Sequence, residues 1–106
     1  MMQVVFVVLH KTELLQDLLT KLKKAGVSGG TIIDSQGMIS YIQESDESYI
    51  LGSLRLFLEQ ARPDSKTMFF IIKDEQVDLV FETIDKALGG LENHNTGIAF
   101  AMPITR

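Results

Sequence analysis

Apolar residues recur along this chain with two different periods. Val4-Val5-Phe6-Val7-Val8-Leu9 is an unbroken apolar run of strand length, and residues 68–72 and 98–102 form two more. After the first run, Leu14, Leu15, Leu18, Leu19 and Leu22 return at spacings of three and four, which predicts an amphipathic helix. Thr12 suits its N-cap, and Gly26 stands where a left-handed C-cap belongs. The same grammar then repeats: the run at 68–72 is followed by Asp74 as N-cap, by Val77, Val80, Phe81, Ile84 and Leu88 on one stripe, and by Gly89. Each helix leads into a glycine-punctuated turn, Ala25-Gly26-Val27-Ser28-Gly29-Gly30-Thr31 in the first copy and residues 89–97 in the second. Two such strand-helix-turn-strand units predict the order βαββαβ, an α+β ferredoxin-like fold with an antiparallel sheet and both helices on one face.

The three runs are apolar at every position, whereas a sheet with one solvated face alternates apolar and polar residues. With two helices on one face, the other face also needs a cover, which predicts a homo-oligomer packed sheet against sheet. The phenylalanines at 69 and 70 are accordingly expected to be buried rather than displayed for base stacking.

Between the copies lies an insertion, residues 38–66, far longer than the roughly 2–5 residues of a hairpin loop. It begins with the polar run Gln43-Glu44-Ser45-Asp46-Glu47-Ser48 and then becomes periodic, with Ile50, Leu51, Leu54, Phe57, Leu58 and Ala61 on one helical face and Pro63 ending the pattern. A third amphipathic helix is expected over 47–62. Its stripe makes Tyr49, Leu54, Phe57 and Leu58 candidates for contact with the domain itself, a neighbouring subunit or a partner protein.

With 106 residues the chain is expected to be a single domain, 1–106. No stretch approaches the roughly 18 apolar residues of a membrane span, no secretory start precedes the first strand, and there is no cysteine, so a cytoplasmic protein without disulfides or thiolate metal sites is expected. A net charge of −4 argues against nucleic-acid binding, and Lys21, Lys23 and Lys24 fall in the last turn of the first helix, where they complement its dipole. His10 and His94 are separate and read as solvated or hydrogen-bonded rather than as metal ligands.

The segment from Gly26 to Gly37, Gly-Val-Ser-Gly-Gly-Thr-Ile-Ile-Asp-Ser-Gln-Gly, resembles the G-I-x-G-x-T-V-x-x-x-x-G run of the P-II nitrogen-regulatory signalling proteins, and Asn95-Thr96-Gly97-Ile98-Ala99-Phe100 is similar to their G-D-G-K-I-F motif. The resemblance covers roughly three quarters of the chain and leaves the insertion unmatched. It implies a non-enzymatic, trimeric regulator that senses a small ligand in clefts between subunits and signals through the 38–66 insertion to a transporter or enzyme. It implies an adenine nucleotide as ligand (ATP, ADP, AMP or a cyclic dinucleotide), with Gly29, Thr31, Gly37, Met38, Asn95, Thr96 and Gly97 as the site. Glycines there permit close approach, Thr31 can bond a base edge, and the amides at 95–97 can form an anion nest. Some members carry a modifiable tyrosine in the loop, but the surroundings of Tyr49 differ and it reads as a packing residue at a helix start.

The chain also departs from that pattern. Ile98 stands at the family's phosphate-directed lysine, no C-terminal arginines follow before Arg106, and Gly37 leads into Met38-Ile39-Ser40 rather than a second glycine and basic residues. Charge-assisted contacts are worth about 1.5–3 kcal/mol each, so loss of two weakens nucleotide binding by about two to four orders of magnitude. Two other readings stay open: a ligand-free structural or interaction trimer, and a protein like the divalent-cation-tolerance trimers. Catalysis is disfavoured, because the loop His10-Lys11-Thr12 lacks the arginine an acylphosphatase-like site needs, and no nucleophile-base spacing stands out.

Overall fold

A computed structural model describes residues 1–38, 64–90 and 96–105 of the chain. Its elements are β1 (Met2–Leu9), α1 (Leu15–Lys24), β2 (Thr31–Ser35), β3 (Ser65–Lys73), α2 (Val77–Ala87) and β4 (Gly97–Ile104), which is the expected βαββαβ order. The strands form one sheet in the order β2-β3-β1-β4, with every neighbouring pair antiparallel. The chain's first strand therefore lies inside the sheet, between two strands from the C-terminal half. Strand β3 starts at Ser65, so the last two residues assigned to the insertion belong to the sheet. The helix expected over 47–62, with Tyr49, Leu54, Phe57 and Leu58, lies outside the described residues.

The uniformly apolar strands resolve into two unlike faces once the pleat is imposed, because successive side chains point to opposite sides. Val5, Val7 and Leu9 of β1 and Met68, Phe70 and Ile72 of β3 are buried beneath Leu18 and Leu22 of α1 and Val80 and Ile84 of α2. Ala99 and Ala101 of β4 pack against this core from the same side. A fully buried Leu, Ile or Val contributes about 1.5–3 kcal/mol, so this single layer carries most of the driving force.

The opposite face has no cover within the described residues. Ile71, Ile98, Phe100 and Met102 are 56%, 57%, 45% and 45% exposed on it, around half-buried Val4, Phe6 and Val8. Phe6 is flanked by Phe100, with centroids 5.1 Å apart and rings 14° from parallel, and by Phe69 at 5.7 Å. Of the two phenylalanines expected to be buried, only Phe70 is a core residue. Phe69, one position earlier, is turned onto the uncovered face, as a period of two requires.

Both helices begin differently from expectation and end as expected. Thr12 opens a single 3-10 turn, Thr12–Leu14, and its side chain makes no capping bond. Asp74 does not cap α2 either: its carboxylate accepts a hydrogen bond from Gln3 Nε2 at 3.0 Å, while Gln76 Oε1 takes up the Lys73 N–H at 2.9 Å. At the C-terminal ends, Gly26 (φ 101°) and Gly89 (φ 71°) adopt the left-handed conformation. Val27 N–H then reaches back to Leu22 O at 3.0 Å, and Gly90 N–H to Asp85 O at 2.8 Å, closing six-residue caps that satisfy otherwise orphaned carbonyls.

Candidate functional site

The candidate ligand residues fall on two regions of the sheet. β2 ends, and β3 and β4 begin, at the same end of it, since Ser35 pairs with Ser65 and Leu9 with both Lys66 and Gly97. Gly37 and Met38, just past β2, and Thr96 and Gly97, at the start of β4, therefore share that end. They are separated by the width of the sheet, three strand spacings or about 14 Å. Gly29 and Thr31 lie farther down the β2 edge, Thr31 opposite Phe69 and four residues before Ser35, about 13 Å along the strand. One chain thus brings the two turns to one end but does not gather all the candidate residues around one point. Asn95 lies outside the described residues.

The glycines and their neighbours divide by physical cause. A Cβ on Gly97 would meet Val8 O at 2.8 Å and Leu9 Cα at 3.5 Å, so the closeness of β4 to β1 demands glycine there. Thr96 is fully buried, and its carbonyl accepts hydrogen bonds from the His10 and Lys11 N–H groups at 2.9 and 3.3 Å, pinning the end of β1 to the start of β4. Its Oγ1 has no hydrogen-bond partner among the described residues. Gly29 and Gly37 are different: a Cβ on either meets nothing within 4 Å and neither has a positive φ, so the described fold gives no reason for glycine. Met38 beside them is 75% exposed.

Between these turns the structure adds a polar group that periodicity does not single out. Ser35 Oγ lies 2.7 Å from Ser65 Oγ and 2.8 Å from Thr67 Oγ1, three hydroxyls sharing hydrogen bonds where β2 and β3 lead into the insertion. On the other side of these strands Lys66 pairs with Asp34 directly across the ladder. Thr12, Asp34, Ser35, Asp64, Ser65 and Lys66 line a polar hollow of about 320 Å³ there. The available signal was the interruption of apolar strands by Ser35, Ser65 and Thr67, which reads equally as the fraying of a strand end. Among the described residues no three His, Cys, Asp or Glu side chains converge to hold a metal, and no helix is long and apolar enough to cross a membrane.

Against solved structures, the chain matches Arabidopsis thaliana PII, in a crystal structure bound to citrate, with a TM-score of 0.67 over 97% of this chain and 77% of that one. The fold is P-II-like. A second match, B. subtilis GlnK, gives a TM-score of 0.66 and covers 98% of this chain and 85% of that one. The P-II-like fold is a divergent version, for the identities are only 19% and 18%. No protein-family model matches the sequence, and no curated protein matches it. Ile98 is 57% exposed on the sheet face that has no cover within the described residues.

Proposed function

We infer that this chain is a non-enzymatic P-II-like regulatory subunit: a cytoplasmic homotrimer that takes a small anionic ligand between subunits and signals through the insertion to a transporter or enzyme. The observation that carries this reading is the uncovered apolar face, with Phe6 between Phe69 and Phe100 and with exposed Ile71, Ile98 and Met102 around them. A contiguous patch of that kind is what a monomer avoids and a subunit interface uses. Gly29 and Gly37, free of any steric demand within the described fold, support a ligand or neighbouring backbone approaching both turns. In a trimer, Gly29 and Thr31 of one copy would complete a cleft begun by Gly37, Met38, Thr96 and Gly97 of the next.

An adenine nucleotide remains the proposed ligand by resemblance, and the citrate in the Arabidopsis protein makes a carboxylate-rich metabolite the first alternative to titrate. Ile98 favours one second reading, an interaction trimer with no ligand, because it removes a phosphate-directed charge.

Light scattering during size-exclusion chromatography is expected to give a trimer mass for the parent and a monomer mass for Phe6→Asp; a parent that stays monomeric at micromolar concentration refutes the assembly. Calorimetric titration with ATP, ADP, AMP, cyclic dinucleotides and citrate is expected to detect at least one ligand, weakened by Gly37→Val. A trimer that binds none of them at millimolar concentration selects the ligand-free reading.

A further inference from the structure

The methionines occupy unlike places in this fold. Met68 is 3% exposed in the core, Met1 and Met38 project at 78% and 75%, and Met2 and Met102 stand at 40% and 45% on the sheet face that has no cover within the described residues. Both lie toward the end of the sheet away from the insertion. Met2 is paired with Lys73, and Met102 with Val4, which is itself opposite Ile71, so Met102 sits about 20 Å along the sheet from Ser65, where β3 begins.

The two sulfurs on this face differ in their neighbours. Lys73, directly opposite Met2, is a hydrogen-bond donor for any oxygen placed on that sulfur. Around Met102 the ladder is apolar: Val4 opposite, Phe6 and Met2 on the diagonals, and Phe100 and Ile104 two residues to either side. A thioether at 45% exposure is open to a small oxidant in the single subunit. Once this face is covered by another subunit, the same sulfur lies in apolar surroundings that tolerate no unpaired acceptor.

We propose that Met102 is a redox switch on assembly: a peroxide-class oxidant converts its thioether to the sulfoxide in the free subunit, and the oxidised subunit does not assemble. The sulfur lone pair attacks one peroxide oxygen, the O–O bond breaks as the S–O bond forms, and the second oxygen leaves as water after proton transfer. Sulfur is oxidised by two electrons and the peroxide is reduced by two. Each assembled subunit would then bury a strong acceptor without a donor, which raises the concentration for half-assembly by about tenfold or more. Methionine sulfoxide reductases remove the oxygen again, so the block is reversible. Such control rests on the sheet-against-sheet assembly proposed above.

Light scattering over a dilution series, before and after hydrogen peroxide is applied to the dilute full chain, tests the switch, with peptide mass spectrometry scoring each methionine. The untreated parent is expected to assemble, and the parent oxidised at Met102 to require about tenfold more protein or to stay monomeric, with its circular dichroism unchanged. Met102→Leu given the same treatment should assemble as it did before, although Met1, Met2 and Met38 are oxidised. Met2→Leu should lose assembly as the parent does, and methionine sulfoxide reductases A and B together should restore the parent. An untreated parent that is monomeric removes the assembly and the switch together. With the untreated parent assembled, the switch alone is overturned by undiminished assembly of the Met102 sulfoxide, by equal loss in treated Met102→Leu, by unfolding of the oxidised parent, or by a Met102 that resists peroxide in the dilute chain while Met38 reacts.

Discussion

Adding one methyl group at Gly97 and at Gly29 should move stability in opposite directions. At Gly97 the new Cβ would lie 2.8 Å from Val8 O, and the obstacle is strand backbone rather than the end of a flexible side chain, so β4 must move away by several tenths of an ångström. That shift strains the junction at which Thr96 O holds the His10 and Lys11 amides. Overpacking of this kind costs about 1–3 kcal/mol, and for a domain near 100 residues a loss of about 2 kcal/mol lowers Tm by about 8–16 °C. At Gly29 nothing among the described residues lies within 4 Å and φ is not positive, so within a single subunit Gly29→Ala only restricts the unfolded chain. It should raise stability by about 0.4–1 kcal/mol and Tm by about 2–8 °C. Differential scanning calorimetry of the parent and both variants, at one protein concentration so that assembly is held fixed, reads both shifts. A Gly97→Ala chain melting within about 2 °C of the parent refutes the close-approach account, and a Gly29→Ala chain as unstable as Gly97→Ala refutes the sorting of the two glycines.

Three further outcomes follow from the packing. Thr96→Val replaces a fully buried hydroxyl that lacks a partner among the described residues with a methyl group of similar size, so urea denaturation should show unchanged stability or a gain of about 1 kcal/mol; a loss larger than that would reveal a partner for Oγ1. Leu18→Ala, at a fully buried position of α1, should cost about 2–5 kcal/mol in the same assay, whereas an exposed leucine such as Leu79 changed to Ala should cost well under half of that. Asp34→Asn removes one partner of the ion pair with Lys66, but Asp34 is 83% exposed, so the change in stability should stay below about 1 kcal/mol and vanish at 1 M salt.

The elements were legible because each helix carries its stripe at spacings of three and four and ends at a glycine that the fold needs for its conformation. The starts were not, since Thr12 and Asp74 satisfy the composition of a cap while neither helix has a side-chain capping bond, and in the 3-10 turn before α2 it is Gln76 that accepts the Lys73 amide. The strands could be found but not faced: Phe69 and Phe70 are equivalent in an unbroken apolar run, and only the register with Phe6 and Val5 assigns them to opposite sides. The candidate site was half legible. Its glycines stood out, but that Gly97 answers to Val8 and that Gly29 and Gly37 answer to nothing in the described fold depends on distances between segments far apart in the chain. The hydroxyl cluster of Ser35, Ser65 and Thr67 likewise joins residues about 30 apart, beyond the reach of any local pattern.

The position of β1 in the middle of the sheet has a consequence for synthesis. Both of its partners, β3 and β4, are translated later, the nearer beginning at Ser65, so the strand Val4-Val5-Phe6-Val7-Val8-Leu9 leaves the ribosome with no neighbour to pair with. At about 5–20 residues per second, the more than fifty residues before β3 is available take roughly 3–11 s. During that interval the nascent chain exposes an uncharged, proline-free segment rich in valine, the composition most prone to pairing with copies of itself. Yield in cells should therefore respond to translation speed and to trigger-factor-type chaperones more than the stability of the finished domain would suggest.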